Sequence, residues 1–101
     1  MKRLLFSFSM ALAAASLASA QTAAPIVGRS LAATCANCHG TDGRGDAFTL
    51  AGVAKDDIVR KMREFKAGTR PATVMNQLAK GYTDEQIETV AAWFAAQKPA
   101  K

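Results

Sequence analysis

The sequence predicts a small all-α domain of three to four helices, and three observations carry that prediction. After Ala20 no run shows the period-2 alternation of a half-buried strand. Apolar residues recur instead at helical spacings, bounded by capping residues and glycines. Both cysteines and the only histidine stand together in Cys35-Ala36-Asn37-Cys38-His39, which points to one cofactor filling a core that so short a chain cannot build alone.

The domain is expected to begin at Gln21. Lys2 and Arg3 form a short positive region, Leu4 to Leu17 is apolar apart from three serines, and Ala18-Ser19-Ala20 has the small-x-small pattern of a signal-peptidase site. Residues 1–20 therefore read as a secretory signal peptide and 21–101 as one exported domain. The apolar run is shorter than the roughly 20 residues of a spanning helix, so a retained anchor is the weaker alternative and no stable membrane span is expected. Without Lys2 and Arg3, 11 basic residues face 8 acidic ones, a net charge of +3. That suits an acidic protein surface but is too weak for nucleic acid, and no Arg-rich tract supports one.

Each helix has its own signal. The first is expected from Thr22 as N-cap to about Thr34, with Pro25 in its first turn and Val27 and Leu31 on one face. Residues 39–52 read as loop, rich in glycine and turn-forming Asp and Thr. A second helix spans about Lys55 to Ala67: Asp56 and Asp57 suit its start, Gly68 its end, and Ile58, Met62 and Phe65 form its apolar stripe. After the break at Arg70-Pro71-Ala72, a short helix runs from about Thr73 to Lys80. In the last helix Thr83 and Gln86 form a capping box, Ile87, Val90, Ala91 and Phe94 the buried face, and Pro99 lies beyond its end. The first and last helices should cross, with Val27, Gly28 and Leu31 meeting Val90, Ala91 and Phe94.

Four chemistries compete for the five-residue motif. A Cys35–Cys38 disulfide closes too small a loop to stabilise much. A thioredoxin-like pair needs a neighbouring strand, and none is predicted. A structural zinc site wants four ligands, and no second cluster exists. C-x-x-C-H after an export signal is the pattern of covalent haem attachment, with Cys35 and Cys38 forming thioethers and His39 the proximal iron ligand. With no other histidine, methionine is the natural sixth ligand. Met1 and Met10 leave with the signal. Met62 lies on a helical stripe, where methionine usually fills core, whereas Met75 follows the Pro71 break in a segment able to reach the far haem face. Met75 is favoured.

The stretches "LAATCANCHGTDG", "LAG" and "GTRPATVMNQLAKGYTDEQIETVAAWFAAQ" resemble class I c-type cytochromes. The similarity is closer to short bacterial single-haem domains grouped with cytochrome c4 halves and the cytochrome subunit of flavocytochrome c sulfide dehydrogenase. It covers residues 30–97 and implies a class I cytochrome c fold with Met75 as distal ligand. Such sequences usually have a proline two residues before the leucine of "LAG", whose carbonyl accepts the Nδ1–H of the proximal histidine; here that residue is Phe48. Where they often have histidine after the ligand methionine, this chain has Asn76.

The expected function is periplasmic electron transfer between redox partner proteins, with no catalytic residues. The resemblance implies a flavoprotein sulfide dehydrogenase subunit as one partner. The alternative is a haem protein with an open distal site, a small peroxidase or gas sensor, in which Met75 does not bind iron. The cluster Arg60, Lys61, Arg63 and Lys66 suits either a solvated helix face or partner steering.

Overall fold

The computed structural model describes residues 24–100. The expected signal peptide and the Thr22 cap lie outside the described residues.

The first helix, α1, covers residues 24–32 and tightens into a 3-10 turn at Ala33–Cys35. A single α turn, α2 (Ala36–His39), follows directly, so the cysteine–histidine motif is helical and the loop starts one residue later than the sequence suggests. Gly40 ends it at φ +78°, and a Cβ there would lie 2.4 Å from the Gly45 amide nitrogen, so only glycine fits this close approach. The loop then folds on itself. The Gly45 amide donates to the His39 carbonyl at 2.7 Å, and the Leu50 and Ala51 amides both donate to Gly43, at 2.8 and 3.1 Å.

α3 (Lys55–Ala67) has the limits the sequence predicts, with Asp56 and Asp57 in its first turn and Gly68 in the left-handed conformation at its end. α4 (Met75–Ala79) is shorter than predicted. Val74 is still non-helical at φ −129°, so the chain does not begin to coil at Thr73. α5 (Asp84–Ala95) opens on the predicted capping box: Thr83 Oγ1 accepts from the Gln86 amide at 3.1 Å, and Gln86 Oε1 accepts from the Thr83 amide at 2.9 Å. No strand occurs among the described residues.

α3 packs on both α4 and α5. One core joins Ala32 of α1, Ile58 and Val59 of α3, and Ile87, Val90, Ala91 and Phe94 of α5. Ile87 and Phe94 are almost wholly enclosed, and each contributes about 1.5–3 kcal/mol by burial. α1 and α5 do cross, but the contact differs in detail from the expectation. A Cβ on Gly28 would lie 3.2 Å from Trp93 Cβ and 3.3 Å from the Thr89 carbonyl. Trp93 and Thr89 thus flank the seam, while Val27 stays half exposed and Ala32 enters the core instead.

Candidate functional site

The site is built on one helical turn. Residues three and four apart in a helix share a face, so the turn from Cys35 through α2 presents Cys35, Cys38 and His39 together. Neither cysteine is in a disulfide. Burial pushes the Cys35 thiol above its ordinary pKa, against the smaller opposing effects of the Thr34 and Tyr82 hydroxyls. Among the described residues no group of three or more His, Cys, Asp or Glu side chains converges as a metal site.

His39 is oriented by the loop that follows it. Its Nδ1 lies 2.6 Å from the Phe48 carbonyl oxygen, which makes Nδ1 the donor, so that in the neutral imidazole the lone pair stands on Nε2. Phe48 thus supplies the carbonyl that the resemblance assigns to proline. It does so in the left-handed region, at φ +58°, where few bulky residues sit. Its ring meets the His39 ring edge-on, centroids 6.3 Å apart and planes at 72°. The loop is held in turn by Thr49 Oγ1 donating to the Gly45 carbonyl at 2.8 Å, and its ends reach α5 and the C-terminal segment. The Gly52 amide donates to the Phe94 carbonyl at 2.9 Å and Arg44 Nε to that of Lys98 at 3.2 Å.

The two methionines occupy different settings. Met62 packs against the core as helix filling, whereas Met75 opens α4, half buried and outside that cluster. The segment carrying Met75 is linked to the cysteine turn through Tyr82, whose hydroxyl lies 2.8 Å from Thr34 Oγ1. This pairing, and the bonds of Asn76 described below, went unforeseen in the sequence. The sole tyrosine and an asparagine beside loops are the only signals either leaves there.

These residues fit a haem. Two free thiols and a histidine with its outer nitrogen available share one turn. Phe48, Val74 and Leu78 are 80%, 52% and 52% exposed in the polypeptide, apolar area that a large apolar cofactor would cover. The basic cluster of α3, by contrast, is largely spent inside the fold. Arg60 bridges Asp57 and Glu64, Arg63 bridges Glu88, and Lys66 reaches the Tyr82 carbonyl at 2.7 Å and Asp84 at 3.6 Å.

Known proteins agree with this chemistry. The cytochrome c family model matches residues 27–98. The cytochrome subunit of sulfide dehydrogenase from Chlorobaculum tepidum is 41% identical over 69 residues, covering 66% of this chain and 63% of that protein. Cytochrome c4 of Pseudomonas aeruginosa is 35% identical over 101 residues, 97% of this chain and 50% of that protein. Cytochrome c-553 of Nitratidesulfovibrio vulgaris is 31% identical over 102 residues, 94% and 98% of the respective lengths. The chain thus spans less than two thirds of the first two relatives. With a match that runs from α1 through α5, the chain belongs to the cytochrome c family, whose cofactor is covalently bound haem c.

Proposed function

We propose that this chain is an exported, periplasmic single-haem electron carrier. In this reading Cys35 and Cys38 hold haem c through thioethers, His39 Nε2 is the proximal iron ligand, and Met75 is the distal one. The observation that carries it is the 2.6 Å bond from His39 Nδ1 to the Phe48 carbonyl, because it leaves the other ring nitrogen available one residue after the second cysteine. Bound haem c supplies a one-electron Fe(III)/Fe(II) couple. The polypeptide's work is to keep both ligands in place in either oxidation state, so that little rearrangement accompanies the gain or loss of an electron. The Phe48 carbonyl fixes the ring orientation of His39. A thioether favours the reduced iron and raises the potential.

Export is supported by residues 1–20, which have the pattern of a cleaved signal peptide. No helix among the described residues is long and apolar enough to cross a membrane. The partners in this reading are redox proteins, and the similarity to a sulfide dehydrogenase cytochrome subunit favours a flavoprotein sulfide dehydrogenase subunit among them.

Met75→Ala tests the reading. The variant should lose the far-red charge-transfer band of thioether-ligated ferric haem, lower its reduction potential and bind carbon monoxide readily. A wild type that already lacks the band and binds carbon monoxide would overturn it in favour of an open-site haem protein. Free haem recovered from the wild type by acid–acetone would refute covalent attachment.

A further inference from the structure

α4 is a five-residue helix with no side-chain bond at its N-cap. So short a helix has no stability of its own and must be held by tertiary contacts. Among the described residues its one side-chain hydrogen-bonding anchor is Asn76, which directly follows Met75. The half-buried Asn76 Nδ2 donates to the Phe65 carbonyl at 3.1 Å and to the Arg70 carbonyl at 2.8 Å. The Phe65 carbonyl belongs to the last turn of α3, where intrahelical donors run out.

The acceptors sit on a braced frame. The Thr69 and Arg70 amides both donate to the Glu64 carbonyl, at 3.0 and 3.3 Å. Arg70 Nε donates to Glu64 Oε2 at 2.6 Å, and the Arg70 guanidinium lies 5.9 Å from the Phe65 ring centroid. Two bonds from one planar carboxamide to two points on such a frame fix both the position and the rotation of the turn that carries Met75.

Building on the reading of Met75 as distal ligand, we infer that Asn76 is its positioning residue: the Asn76 carboxamide fastens the first turn of α4 to the end of α3 and thereby keeps the Met75 thioether from swinging off the iron. The side chain touches neither ligand nor cofactor in this role. It sets the equilibrium between a bound and a released Met75.

The test uses the haem-loaded full-length protein and three variants. Asn76→Ala deletes both donors, and Asn76→Asp keeps the shape but replaces the donor with an acceptor facing two carbonyls. Gln77→Ala, an exposed neighbour with no side-chain bond among the described residues, is the control. In both Asn76 variants the far-red band should fade on heating well before the helical circular dichroism does. The apparent affinity of the ferrous protein for carbon monoxide should rise about tenfold or more, the shift expected when one to two hydrogen bonds are lost from the closed form alone. Gln77→Ala should match the wild type. Unchanged band melting and carbon monoxide affinity in both Asn76 variants, with only global stability lowered, would overturn the positioning role. A wild type without the band would overturn the reading of Met75 itself, and the positioning role with it.

Discussion

Phe48→Pro looks like a restoration, since the sequences this chain resembles usually have proline there, yet it should damage the protein. Phe48 lies at φ +58°. The pyrrolidine ring holds φ near roughly −65°, so proline demands a rotation of roughly 120° at the residue whose carbonyl orients His39. The Phe48 amide donates no hydrogen bond among the described residues, so loss of the donor is free and φ carries the whole effect. Breaking the His39 bond costs about 0.5–1.5 kcal/mol, and forcing the surrounding loop into another conformation about 1–3 kcal/mol more. A total of about 1.5–4.5 kcal/mol corresponds to a fall in Tm of roughly 6–36 °C for a domain of this size. Phe48→Gly is the control. It relieves about 1–2 kcal/mol of left-handed strain and returns about 0.5–1 kcal/mol of unfolded-state entropy. The lost ring is mostly exposed, so its stability should stay within about 1 kcal/mol of the wild type. Thermal unfolding of the three holoproteins, with proton exchange at His39 Nδ1 followed by NMR, measures both effects. A Phe48→Pro protein that melts at or above the wild type with Nδ1–H still protected would show that residue 48 is not left-handed.

Three further outcomes follow from the packing and the charges. Gly28→Val must place a branched side chain where a bare Cβ already lies 3.2 Å from Trp93 Cβ and 3.3 Å from the Thr89 carbonyl; it should cost about 1–3 kcal/mol or more, and wild-type denaturant stability in this variant would mean the helices do not cross there. Met62→Ala should cost about 1–3 kcal/mol, less than a full core truncation because the side chain is half buried, and should keep the far-red band; loss of the band would move the distal ligand to Met62. The Glu64 carboxyl is held below its ordinary pKa chiefly by Arg70 and then by Arg60, so its contribution is complete above the usual carboxylate range and is lost as pH falls through the depressed value. The Tm gap between wild type and Glu64→Gln should therefore be present at neutral pH and close in acid; a gap that widens in acid would reverse the assigned sign.

What the sequence made legible was local. α3 and α5 have the predicted starts because their signals lie within one turn of the ends they define: Asp56 and Asp57, and the Thr83–Gln86 box. The cysteine–histidine motif was equally plain, since its chemistry is encoded in spacing alone. The differences arise where partners are distant along the chain. The sequence pattern extends α4 too far because nothing local says that Val74 is non-helical. The basic residues of α3 suit a solvated face or a partner surface in the sequence alone because Glu88 and Asp84, which pair with Arg63 and Lys66, come from α5. Trp93 could not be placed without the crossing that sets Gly28 against it.

The two sides of the proposed haem site are held by unlike means, and that difference explains which departures from the family pattern the fold can absorb. On the His39 side the acceptor is a backbone carbonyl, available from any residue whose φ and ψ aim it correctly. Phe48 can stand where the family has proline because the loop, braced at Gly40, Gly43 and Gly45, holds residue 48 in the left-handed region, which a pyrrolidine ring cannot adopt, and still aims its carbonyl at His39. On the Met75 side the anchor is a side-chain donor pair, and no backbone rearrangement reproduces a carboxamide reaching two carbonyls at once. Substitutions at position 48 should therefore be tolerated according to backbone preference, with glycine and asparagine acceptable and proline not. Those at position 76 should be tolerated according to donor chemistry, whatever their size. A library at each position, scored by retention of the far-red band, separates the two rules: tolerance by size at position 76, or by side-chain polarity at position 48, would contradict them.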